Sequence, residues 1–178
     1  MARAFNLAGA DSHILVFKNR TPKDLEESLE AFKTEIEKAQ IVAFAGGFSA
    51  GDEPDGSGKF IANVIREKQV ADAITSHLEK KNLILGICNG FQTLIKTVLV
   101  PYGKITEPSA DTKREQERAF SPTLTFNDIH RHISHVVSAA SPWALYESVL
   151  EGRPHYIPVS HGEGRERHRR GQNSQGEF

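Results

Sequence analysis

The stretch from Leu83 to Gln92, LILGICNGFQ, constrains the fold of this 178-residue chain more than any other. An apolar, strand-like run ends at Gly86, and a segment compatible with a helix begins directly after Cys88, the only cysteine in the sequence. Glycines at positions 86 and 90 flank the thiol. This layout is typical of a nucleophile elbow, a tight strand-to-helix turn that raises a reactive side chain out of a sheet. A helix N-terminus beside the sulfur also favours the thiolate.

A buried structural cysteine is the alternative interpretation, because free cysteine is among the most buried residue types. A second pattern, His161–Gly162–Glu163 after an apolar run, favours catalysis instead. In an extended backbone residues i and i+2 share a face, so Glu163 is expected to hold one ring nitrogen of His161. The other nitrogen is then free to act on a thiol. The two patterns together predict a Cys88–His161–Glu163 triad.

A glycine pair, Gly46–Gly47, follows the apolar run Ile41–Phe44. Glycines that leave a strand can turn backbone N–H groups towards a ligand. An oxyanion hole for acyl transfer needs such donors facing the nucleophile. By itself the pair is equally typical of a flexible loop.

These three patterns, in this order, resemble the class I glutamine amidotransferases. In that family they are a Gly-Gly oxyanion loop, then G-x-C-x-G-x-Q, then a late His-x-Glu. Three longer sequence segments are similar to segments in the glutaminase domains of phosphoribosylformylglycinamidine synthases: GGFSAGDEPDGSGKF, GICNGFQTLIK and IPVSHGEGR. The resemblance extends from about Ala2 to Arg165.

The resemblance implies hydrolysis of L-glutamine to glutamate and ammonia. It assigns catalysis to Cys88, His161 and Glu163, the oxyanion hole to Gly47 and Asn89, and substrate binding to Gly46 and Gln92. It further implies that ammonia passes to a synthetase domain, on the same chain or on a partner subunit, where ATP and Mg²⁺ are used. We expect no cofactor and no metal in this chain, and the P-loop word G-x-x-x-x-G-K-[ST] does not occur in it.

Two other functions stay open at this point. One is a different thiol hydrolase of related fold, such as a cysteine peptidase. The other is a non-catalytic or misfolded fragment, because the family pattern has a strand before the first residues and further strands after Arg165. We therefore expect a partial amidotransferase domain over 1–165, poorly stable and inactive alone, and a disordered or aberrant polar tail over 166–178.

Apolar strands alternate with helical patterns in the first half of the chain. This alternation predicts an α/β fold, a mostly parallel, flavodoxin-like sheet with helices on both faces and ligands at the carboxyl ends of its strands. The predicted elements are a helix ending at Gly9, a strand at Ser12–Phe17, a helix begun by Thr21–Pro22, a strand at Ile41–Ala45, a helical region over 60–78 broken near Lys68, a strand at Leu83–Ile87 and a helix over 89–97.

After Pro101 the pattern changes. A charged surface segment is predicted over 107–118, and a short helix from Ser141. Leu124–Phe126 and Ile133–Val137 are predicted to pair as a small additional β section.

Composition excludes several partner classes. A net charge of −1 gives no case for nucleic-acid or membrane-surface binding. No apolar run approaches the roughly 20 residues that span a bilayer. One cysteine fits a reducing, cytoplasmic compartment. His130 and His132 are predicted to share a strand face with His135 opposite, which argues against a metal site.

Overall fold

The computed structural model describes residues 1–47, 58–105, 122–139, 155–162 and 164–168. The chain forms two compact units, Met1–Glu115 and Gln116–Phe178. The described elements are α1 (Ala2–Leu7), α2 (Pro22–Lys38), β1 (Ile41–Phe44), α3 (Lys59–Arg66), α4 (Lys68–Glu79), β2 (Leu83–Gly86), α5 (Asn89–Lys96), α6 (Leu99–Tyr102), β3 (Pro122–Thr125), β4 (Ile133–Ala139), β5 (His155–His161) and β6 (Arg165–His168). The predicted segment 107–118 and the predicted helix at Ser141 lie outside the described residues.

The first unit is built on a parallel strand pair. β1 and β2 pair in register from Ile41 opposite Leu83 to Phe44 opposite Gly86. β1 buries Val42 and Phe44 and exposes Ile41 and Ala43. Helix α5 packs on both strands, and α2 packs on α4. Parallel strands joined through helices confirm the predicted α/β class.

Sequence signals placed most of these elements correctly. Thr21 caps α2 in a reciprocal capping box with Asp24, and Pro22 occupies the first helical turn. The helical region after 58 is broken at Glu67, which separates α3 from α4. Apolar side chains from α2, β1, α3, α4, α5 and α6 then form the core: Ile36, Val42, Phe44, Ile65, Val70, Ala73, Ile74, Leu94 and Leu99.

His77 is a buried polar member of this core, with 2% of its surface exposed. Its Nε2 lies 3.0 Å from the carbonyl oxygen of Leu83, and its Nδ1 lies 3.3 Å from that of Ile36. One imidazole therefore links α4 to the end of α2 and to the start of β2.

The predicted strand at Ser12–Phe17 is wrong, because this segment has no regular secondary structure. A strand requires a neighbour that accepts and donates its backbone hydrogen bonds, and no described strand pairs with it. Its end is held by side chains instead. The Ser28 hydroxyl bonds both the N–H and the carbonyl of Lys18, and Phe17 meets Phe60 edge to face. Ile14 and Val16 remain 68% and 69% exposed.

The second unit contains two antiparallel strand pairs. β4 pairs with β5 from Ile133 opposite His161 to Ala139 opposite His155, and β3 pairs with β6. The predicted pairing of Leu124–Phe126 with Ile133–Val137 is therefore wrong. The reason is that β5 matches all seven residues of β4, a longer ladder than β3 could offer. The strand β6 includes the first residues of the segment predicted as a polar tail.

None of the helices in the described ranges has the length and apolar character needed to cross a bilayer.

Candidate active site

Cys88 occupies a strained turn between β2 and α5. Its φ of 54° and ψ of −112° lie in a region that side chains other than glycine rarely adopt. Holding such a conformation costs about 1–3 kcal/mol, and strain of this kind concentrates at functional sites. The thiol is exposed. The predicted elbow is therefore present, and the alternative of a buried structural cysteine is excluded.

Glycines flank the elbow because the neighbouring backbones leave no room for a side chain. A β-carbon at Gly90 would lie 2.7 Å from the carbonyl carbon of Phe44 and collide with its oxygen. A β-carbon at Gly86 would lie 2.7 Å from the carbonyl oxygen of Gly90. The two glycines thus allow α5 to pack directly against β1 and β2. This packing sets the position of Cys88 in the turn between β2 and α5.

The predicted oxyanion loop lies beside the cysteine. A β-carbon on Gly46 would come within 3.0 Å of the Cys88 β-carbon and 3.8 Å of its sulfur. Gly47 has a φ of 125°, a backbone conformation open to glycine and strained for other residues. The remainder of the loop, residues 48–57, lies outside the described residues. Both glycines follow the carboxyl end of β1, as predicted for a ligand site in a parallel sheet.

Helix α5 carries the other predicted residues of this half of the site. Asn89 is its first residue and is buried, with 3% of its surface exposed. Gln92 is partly exposed one turn later, and its N–H donates to the Cys88 carbonyl at 3.0 Å. The structure thus gathers Gly46, Cys88, Asn89 and Gln92 at one end of the parallel pair. Their assigned roles stay predictions.

His161 belongs to the second unit, at the end of β5. It is partly buried. Burial lowers the pKa of His161 from its ordinary value of 6.5, and the nearby His135 and His132 lower this pKa further. The imidazole is therefore held in the neutral form that a general base requires. The predicted contact with Glu163 lies outside the described residues.

The side chain that meets His161 comes from Asn127, a residue outside the predicted motifs. The Asn127 amide oxygen lies 3.0 Å from His161 Nδ1. An Asn-Asp pair after a strand ordinarily indicates only a turn. No spacing rule connects it with a histidine 34 positions later, so this contact had no local signal in the sequence.

The histidine cluster differs from its prediction. His130 and His132 precede β4 and lie in no strand, so they do not share a strand face. His130 has a positive φ of 51°, typical of a turn. His132 Nε2 lies 2.7 Å from the Ser160 hydroxyl. In the part of the chain that the structure describes, no group of three or more His, Cys, Asp or Glu residues could hold a metal ion.

A family model described as the CobB/CobQ-like glutamine amidotransferase domain matches residues 1–176. The chain belongs to this family. The predicted membership of the glutamine amidotransferases, inferred from the cysteine elbow and the two motifs around it, is thereby confirmed. No solved structure matches this glutamine amidotransferase domain.

Curated relatives of the domain share one description, phosphoribosylformylglycinamidine synthase subunit PurQ. The protein from Dehalococcoides mccartyi is 32% identical over 163 residues, 91% of this chain and 55% of that protein. The protein from Methanococcus maripaludis strain S2 is 32% identical over 164 residues, 92% of this chain and 53% of that protein. The protein from Treponema denticola is 28% identical over 166 residues. The chain spans about half the length of these relatives.

Proposed function

We propose that this chain is the glutaminase part of a phosphoribosylformylglycinamidine synthase. It hydrolyses glutamine and supplies ammonia for the ATP-dependent conversion of formylglycinamide ribonucleotide to formylglycinamidine ribonucleotide, in purine biosynthesis. The observation that carries the proposal is an exposed thiol on a strained elbow, with the glycine loop of Gly46 packed against it. The names of the relatives from three organisms support the same reaction.

The first step is attack of the Cys88 sulfur on the side-chain amide carbon of glutamine. A C–S bond forms, and the carbonyl π electrons move to oxygen. The N–H groups of Gly47 and Asn89 stabilise this oxyanion. Removing one such donor typically costs about 10²–10³ in rate. Gly46 and Gln92 hold the substrate beside the thiol.

Proton transfer is the task of His161. It takes the thiol proton and delivers it to the leaving nitrogen, so that the C–N bond breaks, ammonia departs and a thioester remains. It then takes a proton from water as the hydroxide attacks the thioester, and returns that proton to the departing sulfur. Glu163 stabilises the cationic imidazole between these transfers. The net change is glutamine plus water to glutamate plus ammonia.

The ammonia reacts in a different domain from the one that releases it. At neutral pH free ammonia is mostly protonated and no longer nucleophilic, so the product passes directly to a synthetase domain. ATP and Mg²⁺ belong to that domain, which lies on the same chain or on a partner subunit. We place the reaction in the cytoplasm, where a single exposed thiol stays reduced.

The test compares the unaltered chain with Cys88→Ala, each combined with its synthetase partner. The unaltered chain should release glutamate and support synthesis from glutamine. Cys88→Ala should abolish both and leave synthesis from added ammonium intact, because the synthetase site does not use the thiol. Thr75→Ala, an exposed position on α4, is the matched control and should behave like the unaltered chain.

Two results would reject the proposal. Glutamate release that survives in Cys88→Ala would remove the thiol from the reaction. Hydrolysis of peptides in preference to glutamine by the unaltered chain would indicate a cysteine peptidase.

A further inference from the structure

Asn127 is a buried polar residue whose side chain is fully occupied. It follows β3, and 5% of its surface is exposed. A side-chain amide offers two N–H donors and an oxygen with two lone pairs. In Asn127 both donors and two bonds to the oxygen are accounted for by named partners. Buried amides with every position bonded are rigid, because any rotation breaks several bonds at once.

Backbone partners fix which end of the amide faces His161. Asn127 Nδ2 donates to the carbonyl oxygens of Arg131 at 3.0 Å and His161 at 2.9 Å. These oxygens can only accept, so the NH₂ group must lie on that side. The N–H of Gly164, which can only donate, bonds Oδ1 at 3.2 Å. The oxygen of Asn127 is therefore the atom that faces the His161 ring.

The state of the imidazole follows from this orientation. Oδ1 is an acceptor, so Nδ1 of His161, 3.0 Å away, must carry a proton to bond it. In a neutral imidazole the proton then resides on Nδ1, and Nε2 keeps its lone pair. We infer that Asn127 is a positioning residue that fixes the tautomer and the ring orientation of His161, with Nε2 as the reactive nitrogen.

Gly164 also contacts the His161 ring and so restricts its orientation. A β-carbon at this position would lie 2.5 Å from His161 Nε2 and would overlap Cε1 and Nδ1 of the same ring. The ring thus rests directly over the glycine backbone while the amide holds its Nδ1. The backbone of Asn127 adds a further bond, its N–H donating to the Gly162 carbonyl at 3.1 Å.

This inference rests on the proposed function, in which His161 moves protons through a lone pair. The resemblance gives the orienting task to Glu163, and the described residues place Asn127 against Nδ1. Among the described residues, the titratable groups around the ring are His132 and His135, and the His135 ring on β4 lies 5.9 Å away between centroids. The Arg165–Asp128 ion pair adjoins the same loop.

The test measures the tautomer directly by two-bond ¹H–¹⁵N correlation spectra of the labelled 178-residue chain. In the unaltered chain His161 should show the pattern of a protonated Nδ1 and a bare Nε2. Asn127→Leu should lose this preference. Asn127→Asp should raise the pKa of His161 above its value in the unaltered chain, because it places a negative charge against Nδ1. Asn82→Leu is the control, because it removes a partly buried side-chain hydrogen bond elsewhere, from Asn82 Nδ2 to the Ala39 carbonyl. It should leave the tautomer and the pKa of His161 unchanged.

A protonated Nε2 in the unaltered chain would overturn the inference, as would an unchanged tautomer in folded Asn127→Leu. If Asn127→Leu fails to fold, Asn127→Asp provides the test. An unchanged pKa of His161 in Asn127→Asp would also overturn the inference. The spectra need no enzyme activity, so they separate this inference from the proposed function. Where glutamate release is measurable, Asn127→Leu should lower kcat by roughly 10²-fold or more, the range of general acid–base catalysis, and Glu163→Gln should leave the tautomer in place.

Discussion

A single methyl group at Gly90 tests whether the close approach of α5 and β1 positions the thiol. In Gly90→Ala the new β-carbon would lie 2.7 Å from the carbonyl carbon and 2.7 Å from the β-carbon of Phe44. Optimal carbon contacts are about 3.5–4.0 Å, so the helix and the strand must separate by roughly 1 Å. The obstacle is backbone, which cannot rotate away as the end of a side chain can.

The energy balance predicts a net loss of stability. Overpacking of this kind costs typically about 1–3 kcal/mol. Alanine recovers about 0.5–1 kcal/mol relative to glycine inside a helix. At their midpoints the two terms leave a net loss of about 1 kcal/mol, which corresponds to a fall in Tm of roughly 2–5 °C for a chain of this size. A shift of about 1 Å at the adjacent Cys88 should also reduce glutamine turnover by about 10²-fold.

Thermal unfolding of the chain, and glutamate release in the presence of its synthetase partner, measure the two effects separately. Gly103→Ala is the control, because its φ of 66° adds backbone strain while no atom lies within 4 Å of the new methyl group. It should lower Tm by a few degrees and leave turnover unchanged. Gly90→Ala with the Tm and turnover of the unaltered chain would refute the reasoning, and so would an equal loss of turnover in Gly103→Ala.

Other substitutions probe the second unit and the core. His161→Ala should reduce glutamine turnover more than Glu163→Ala, because the base moves the protons; steady-state rates in the opposite order would reverse the two roles. His77→Ala should destabilise the first unit by about 2–4 kcal/mol in urea unfolding, since it leaves a cavity and removes a hydrogen-bond donor to a backbone carbonyl; an unchanged midpoint would contradict this. Burial and His135 lower the pKa of His161, so kcat/KM should fall only as the pH drops below 6.5, the ordinary value. An acid limb above that value would contradict the neutral imidazole. Because the folded-state pKa is depressed, the unfolded chain binds more protons in this window, and stability should also decrease there as pH falls.

Local chemistry in the sequence was sufficient for two features of the first unit, the cysteine elbow and the start of α2. The glycines at positions 86 and 90 indicated the elbow because close packing of strand and helix excludes any β-carbon there. Thr21 and Pro22 indicated the start of α2 because capping involves residues within one turn. For α2 the partners that decide the structure are neighbours in the sequence. For Gly90 the partner, Phe44, is distant, but the spacing of the glycines around Cys88 is itself a local signal.

Elements that depend on distant partners were predicted less well. Ser12–Phe17 has the composition of a strand, and a strand forms only where a hydrogen-bonding neighbour exists. The pairing of β4 with β5 was missed for the same reason, since composition does not identify the partner. The role of Asn127 arises from a loop packed on the end of β5. A short polar residue in a turn gives no indication of such a contact.

The exposed apolar segment before α2 has a consequence for the behaviour of the chain in concentrated solution. Ile14–Leu15–Val16–Phe17 joins β-branched and aromatic residues without a glycine, a proline or a charge. More than two-thirds of Ile14 and Val16 is open to solvent. Short segments of this composition can stack with copies of themselves as intermolecular β-structure. Such self-association depends on concentration, so this segment is prone to aggregate in concentrated preparations of the chain, and a charge at Val16 should reduce that tendency.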